Sequence, residues 1–177
     1  MDAKRESEAT PMKNRTTVER KSDREIVVTR TFNGPARIVF EAWTKPELIK
    51  RWWVPKSMGM SLLSCEMDVR VGGKYRFVFS QDPSMAFFGR YLEVTPYSRL
   101  VWTNEEIDDG AVTTVTFEEQ DGQTLLAMHE LYASKEALET AGTGSADATV
   151  ETFAQLDELL VTLSAGAGRN GVDLGVG

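Results

Sequence analysis

Along the chain the apolar residues change period several times, and each change marks an element. Residues 24–32 alternate around Ile26, Val28 and Arg30 and stop at Asn33-Gly34, which predicts a strand closed by a turn. Pro35 suits the first turn of a helix, where its missing N–H costs nothing, and Ile38, Val39, Ala42 and Trp43 follow at helical spacing. Lys45-Pro46 interrupts that helix. Residues 47–53 predict a second short one, with Leu48, Ile49, Trp52 and Trp53 on its apolar side.

Strand-like runs then succeed one another between turn signals. Residues 61–67 precede Gly72-Gly73, and Tyr75, Phe77 and Phe79 alternate with Lys74, Arg76 and Val78. Further runs span 86–94, 100–105, 111–117 and 124–131, each reached through a short Asp-, Gly- or Pro-containing turn. Short links between successive strands mean hairpins, hence an antiparallel meander. Ser134 caps a short helix over 135–140 that ends before Gly142. A long helix over 146–163 closes the pattern, with Val150, Phe153, Leu156, Leu160 and Leu163 along one stripe. The reading is thus α+β: about seven antiparallel strands, two short helices after the first strand, and one long C-terminal helix. One helix must cover one large sheet face, and a sheet curled around it need not be packed solid, so a cavity is expected between them.

Composition sharpens the boundaries. Residues 1–23 hold six cations, five anions and almost no large apolar side chain, which reads as a disordered polar tail. Residues 164–177 are glycine-rich and read as a flexible tail, leaving a single domain over 24–163. The whole chain of 177 residues carries a net charge of −7, and the domain alone −8, which argues against binding the phosphate backbone of nucleic acid. Cys65 is the single cysteine and His129 the single histidine, so neither an internal disulfide nor a Cys- or His-rich metal site is expected. The first residues lack the apolar run of a signal peptide, and no stretch is long and apolar enough to insert in a membrane, so the expected location is cytoplasmic. Gly72-Gly73 lacks phosphate-loop spacing, and Glu105, Glu106, Asp108 and Asp109 lack a calcium-loop pattern, reading instead as a solvated acidic turn. No metal and no cofactor is expected.

Four segments, in order, resemble a known family. EAWTKPELIKRWWVP, MDVRVGGKYRF, GRYLEVTPYSRLVWT and ETFAQLDELL are similar to stretches of the bacterial homologues of the activator of heat-shock protein ATPase, members of the START/Bet v 1 helix-grip superfamily that includes polyketide cyclases, dehydrases and lipid-transport proteins. The resemblance covers residues 24–163. It implies a curved antiparallel sheet gripping the C-terminal helix around a largely apolar cavity, and its name implies a stress-response setting. The chaperone activator proper has an additional N-terminal chaperone-binding domain, for which residues 1–23 are too short and too polar.

Alternation nominates the ligand-binding residues. Tyr75, Phe77 and Phe79 share one strand face, as do Thr113, Val115 and Phe117, and also Leu126, Met128 and Glu130. Facing the helix residue Phe153, with Trp52 and Trp53 at the mouth that the resemblance implies, these give the candidate set Trp52, Trp53, Tyr75, Phe77, Phe79, Val115, Phe117, Met128, Glu130 and Phe153. Plain core packing is the competing role for every aromatic among them. If the register holds, Glu130 faces inward and burial raises its pKa; the competing role is a strand-end residue in water or paired with Arg76 or Arg90. His129 then faces outward. Glu93 is assigned a partner such as Arg76, Gly89 allows close approach by a ligand or the long helix, Asp157 is placed on a solvated flank, and Cys65 is a small buried residue.

Three functions follow. The leading one is non-catalytic binding of a small hydrophobic or amphipathic molecule, oriented by Tyr75 or Glu130. The second is a cyclase- or dehydratase-type enzyme using a pocket Glu or Tyr as acid/base, which needs a convergent polar pair. The third is a cochaperone-like interaction module with a chaperone or other protein as partner. A homodimer through an edge strand stays open.

Overall fold

The computed structural model of the chain describes residues 15–108 and 110–176, with side chains as far as Leu163 except at 109 and 143. Eight strands form one antiparallel sheet: β1 (Thr17–Ser22), β2 (Glu25–Phe32), β3 (Leu62–Met67), β4 (Lys74–Phe79), β5 (Ala86–Thr95), β6 (Arg99–Thr103), β7 (Val112–Gln120) and β8 (Gln123–Leu131). Between β2 and β3 come α1 (Ala36–Thr44), α2 (Pro46–Trp52) and a single 3-10 turn at Lys56–Met58. After β8, α3 (Lys135–Ala137) passes through a π-turn at Leu138–Gly142 into α4 (Thr143–Val176).

The strand order is β1-β2-β8-β7-β6-β5-β4-β3, so the meander from β3 to β8 returns to pair with β2 and the sheet stays open. Helices α1 and α2 carry the chain from β2 to the far edge. Register shifts in β1, β3 and β5 add local twist, curling the sheet toward α4. This is the expected helix-grip architecture, with one strand more than the seven read from the sequence.

The additional strand is β1, which lies in the stretch read as a polar tail. Its six residues are all exposed, so no apolar alternation marks it; the free edge of β2 supplies the hydrogen bonds that order it. Residues 1–14 of that tail, and the side chains of the tail read over 164–177, lie outside the described residues. Ser134 does cap α3, its hydroxyl accepting from the Ala137 N–H at 3.0 Å. Gly142, however, does not end the helix. A Cβ there would lie 3.0 Å from Ile26 Cδ1 and 3.1 Å from Tyr132 Cζ, so glycine lets the π-turn press onto β2 and run on into α4.

The inward faces of β2, β7 and β8 stack in layers set by register. Phe117, Leu126 and Arg30 align, then Val115, Met128 and Val28, then Thr113, Glu130 and Ile26. Arg30 faces the helix and meets Asp157 of α4 at 3.0 Å, with only 10% and 21% of the two side chains exposed. Asp157 is therefore a partly buried anchor between sheet and helix, not a solvated flank residue. Val150 also departs from the expected stripe and is exposed; Thr149, Phe153, Leu156 and Leu160 form the buried one.

Candidate functional site

Between the first turns of α4 and the sheet lies a cavity of about 290 Å³. All four tryptophans of the chain, Trp43, Trp52, Trp53 and Trp102, line it. Trp43 is the hub, with ring centroids 4.7 Å from Trp52, 5.8 Å from Trp53 and Trp102, and 6.0 Å from Phe153. Such tilted and edge-on contacts hold the rings rigidly, since each is fixed by several others. Helix α4 contributes Ser145, Ala148, Thr149 and Thr152, all small, which is why the space between helix and sheet is not filled.

The loop after α2 is held in place from α4. Gln155 donates to the carbonyls of Trp52 (3.1 Å) and Val54 (2.9 Å) and accepts from the Lys56 N–H (2.8 Å). One turn earlier, Glu151 accepts from the Ser57 N–H and hydroxyl at 2.9 and 2.6 Å. Positions 151 and 155 share a helix face, so together they clamp the segment that carries Trp53, Val54 and Pro55 to the cavity.

The polar end is built around Glu130. Its Oε1 accepts from the Tyr132 hydroxyl at 2.6 Å and its Oε2 from the Thr113 hydroxyl at 3.2 Å. Asn104 fixes the direction of the second bond. Its Nδ2 must donate to the Ala111 carbonyl (2.8 Å), which only accepts, and it also reaches Thr113 Oγ1 at 2.9 Å. Thr113 Oγ1 accepts that N–H and donates its own proton to the ionised Glu130. Burial pushes the Glu130 carboxyl above its ordinary pKa; the Tyr132 and Thr113 hydrogen bonds oppose that shift, and neighbouring Glu106 reinforces it. Glu106, on the β6–β7 hairpin, lines the same cavity and accepts from the Phe88 N–H at 3.1 Å. Its pKa is raised too, again chiefly by burial.

A family model described as Activator of Hsp90 ATPase homolog 1-like protein matches residues 33–161. The chain belongs to that family. Among solved structures it is similar to a protein of Nitrosomonas europaea at 25% identity, covering 82% of this chain and 99% of that one, with a TM-score of 0.73. A Rhodobacter sphaeroides protein is 23% identical over 84% of this chain and 99% of its own, with a TM-score of 0.76. A Staphylococcus epidermidis protein is 26% identical over 82% and 94%, with a TM-score of 0.67. No functionally curated protein matches the chain.

Against this family scaffold the sequence-derived candidates divide. Trp52, Trp53, Met128, Glu130 and Phe153 line the cavity. Trp52, only 1% exposed, belongs to its floor and not to its mouth. Tyr75 and Phe77 line a separate gap of about 10 Å³ beside Trp53. Tyr75 is not free to orient a ligand, because its hydroxyl donates to the Thr103 carbonyl at 2.7 Å. Phe79, Val115 and Phe117 line neither space and are core. Glu130 does face inward. The cations considered for it are engaged elsewhere: Arg90 pairs with Glu105 at 2.9 Å, and Arg76 lies over the Phe88 ring.

Other local readings change for physical reasons. Glu93 pairs with Arg99 of the next strand at 3.1 Å, not with Arg76. Gly89 admits neither ligand nor helix; a Cβ there would lie 2.0 Å from the Thr103 carbonyl, so glycine is required for β5 to meet β6. His129 faces away from the cavity and pairs with Glu25 at 2.8 Å. Cys65 is half-buried, and burial raises its thiol pKa to about 11. The acidic turn is solvated as expected, residues 105–108 all being exposed, with Glu106 also reaching the Phe88 N–H, while Asp109 lies outside the described residues. Among the described residues no group of acidic, His or Cys side chains has metal-binding geometry. No helix of the described residues is long and apolar enough to cross a membrane.

The sequence reading missed Trp43, Trp102, Asn104, Glu106, Tyr132 and the small-residue face of α4. Trp43 had a usable signal, two aromatic partners nine and ten residues on at the end of the next helix. Glu106 had none, because a carboxylate in an acidic turn looks like any other solvated turn residue.

Proposed function

We propose that the chain binds a small hydrophobic or amphipathic molecule in the cavity between α4 and the sheet, without transforming it. The observation that carries this is the cavity itself: about 290 Å³, walled by four rigid tryptophans and closed at one end by an ordered polar network. Functional ligand cavities begin at roughly 300 Å³ and pair apolar walls with a few placed polar groups. Burying about 200 Å² of ligand would supply about 5 kcal/mol before the cost of association, enough for a modest carrier or sensor. The family's fold commonly serves as a ligand-binding scaffold, which supports the same reading. With one unpaired cysteine such a protein suits a reducing cytoplasm.

The convergence of Glu130 and Tyr132 favours a second reading, an acid/base enzyme of the cyclase or dehydratase kind. A carboxyl with raised pKa, bonded to a phenol and facing a cavity, is the arrangement that reading requires. A cochaperone-like role would instead need an exposed binding face.

Native mass spectrometry of the purified protein, with the denatured mass as reference, tests the proposal. A discrete additional mass, lost on unfolding and extractable into organic solvent, is the expected result. No adduct, together with no thermal shift across lipids, aromatic amines and aromatic acids, would leave the interaction module as the better account. If a bound compound is instead altered by the wild type and left intact by Glu130→Gln, the protein is the enzyme.

A further inference from the structure

The charges around the cavity point in one direction. Its lining contains two carboxyls, Glu106 and Glu130, and no Lys, Arg or His. The neighbouring Glu105 is satisfied by Arg90, whereas Glu106 and Glu130 have no cation within ion-pair distance among the described residues. Glu106 is exposed on its hairpin, but Glu130 is enclosed, and an uncompensated carboxylate there is costly and draws in either a proton or a positive group.

The hydrogen bonds distinguish how Glu130 is used. Both of its oxygens face hydroxyls, Tyr132 on one side and Thr113 on the other, and both hydroxyls donate to the ionised carboxylate. The carboxyl is thus held in a fixed orientation in which its charged form is hydrogen-bonded but has no cation partner among the described residues. The same lining holds four tryptophans, whose electron-rich faces attract cations more strongly than other aromatic rings.

We propose, building on the cavity-binding reading above, that the natural occupant is an organic cation: a small apolar body carrying an amine or quaternary ammonium head. The head sits against Glu130 and Glu106, and the body lies among the tryptophans. Fatty acids and other carboxylates are rejected, because their charge would meet two acids and no base. Binding of the cation displaces protons from the two carboxyls. The charged and titratable groups around Glu130 are Glu106 from the β6–β7 hairpin, Tyr75 from β4, Tyr132 beyond β8, and His129 on the other face of β8. Helix α4 brings only uncharged side chains to the cavity, Ser145, Ala148, Thr149, Thr152 and Phe153. Affinity for a quaternary ammonium, which cannot itself titrate, therefore rises with pH as the two carboxyls lose their protons.

The test uses the full chain and three probes of one shape, phenylbutylamine, phenylbutanol and phenylbutyrate, with benzyltrimethylammonium for the pH series. Binding is read by tryptophan fluorescence and calorimetry. The amine is expected to bind at least about tenfold more tightly than the alcohol, with the acid weakest. Glu130→Gln and, independently, Glu106→Gln should each remove most of the amine-over-alcohol preference, with near-UV circular dichroism and the thermal unfolding midpoint showing that the variants fold. An alcohol or acid that binds as well as the amine would overturn the cation proposal and leave the cavity reading standing. Failure of all the probes to bind would remove the cavity reading, and the cation with it.

Discussion

The two ends of the surface that α4 presents to the sheet are built on opposite principles. Toward its middle, Phe153, Leu156 and Leu160 are all but fully buried, and Phe153 packs edge-on against Phe32 at 5.6 Å. At its start, Ser145, Ala148, Thr149 and Thr152 face Trp102, Met128 and Glu130 across open space. One end is closed by large side chains that interlock, and the other is kept open by small ones. A filled interface stabilises the fold, whereas an open one withholds that stability and is available to a ligand. Phe153 is the boundary, serving both the packed end and the cavity.

The sharpest way to break this comparison is to exchange volume between the ends. Leu156→Ala should destabilise the protein by about 3 kcal/mol in chemical denaturation, through lost transfer energy and the void left behind. Ala148→Phe adds more atoms than that but places them in existing space, so its effect on stability should stay within about 1 kcal/mol while uptake of apolar ligands is lost. Equal destabilisation by both would mean that the open end is packed after all.

The next largest effect concerns the ion pair at the closed end. Asp157→Ala leaves Arg30 largely buried without its partner and should cost about 2 kcal/mol. Replacing both residues together, Arg30→Met with Asp157→Leu, should recover most of the loss, because two apolar side chains tolerate that site better than one unpaired charge. If the double variant is no better than the single one, the pair supplies more than charge neutralisation.

A smaller effect separates the open end by pH. The folded pKa of Glu130 lies above its ordinary value, so the charged form is disfavoured in the native state. Its favourable contribution is complete below the unfolded pKa of about 4.5 and is lost as pH rises through the folded value. The stability of wild type relative to Glu130→Gln should therefore decline as pH rises above about 4.5, measured by denaturation at each pH. A difference independent of pH would place Glu130 in contact with bulk water. The least effect belongs to His129. It pairs with Glu25 on the outer face, where burial is slight, so His129→Gln should leave ligand affinity unchanged and alter stability by less than about 0.5 kcal/mol.

Most of the sheet was legible in the chain because one buried face imprints a period of two: Ile26 and Val28, Tyr75 and Phe77, and Val115 and Phe117 are all buried as their alternation requires. β1 was not legible, since neither of its faces is buried and no period is imposed on it. The inward direction of Glu130 followed from the same alternation, through Leu126 and Met128. Its partners did not. Tyr132 lies beyond the end of the strand, where alternation no longer constrains direction, and Asn104 and Glu106 come from a hairpin whose residues carry no pattern at all.

By itself the sequence determined most of the strands and helices, β1 excepted, the family to which the chain belongs, and which face of the buried strands turns inward. Those are consequences of local periodicity and turn chemistry, which each segment carries alone. The tertiary structure alone decided where packing fails. Whether Tyr75 or Trp43 lines a void depends on how far the sheet curls and on which residues of α4 stand opposite, and these are sums over elements distant in the chain. The same holds for the surroundings of Glu130. Its acidity is written in the sequence, but that none of the described cations pairs with it follows in part from Arg90 being held by Glu105 of the β6–β7 hairpin.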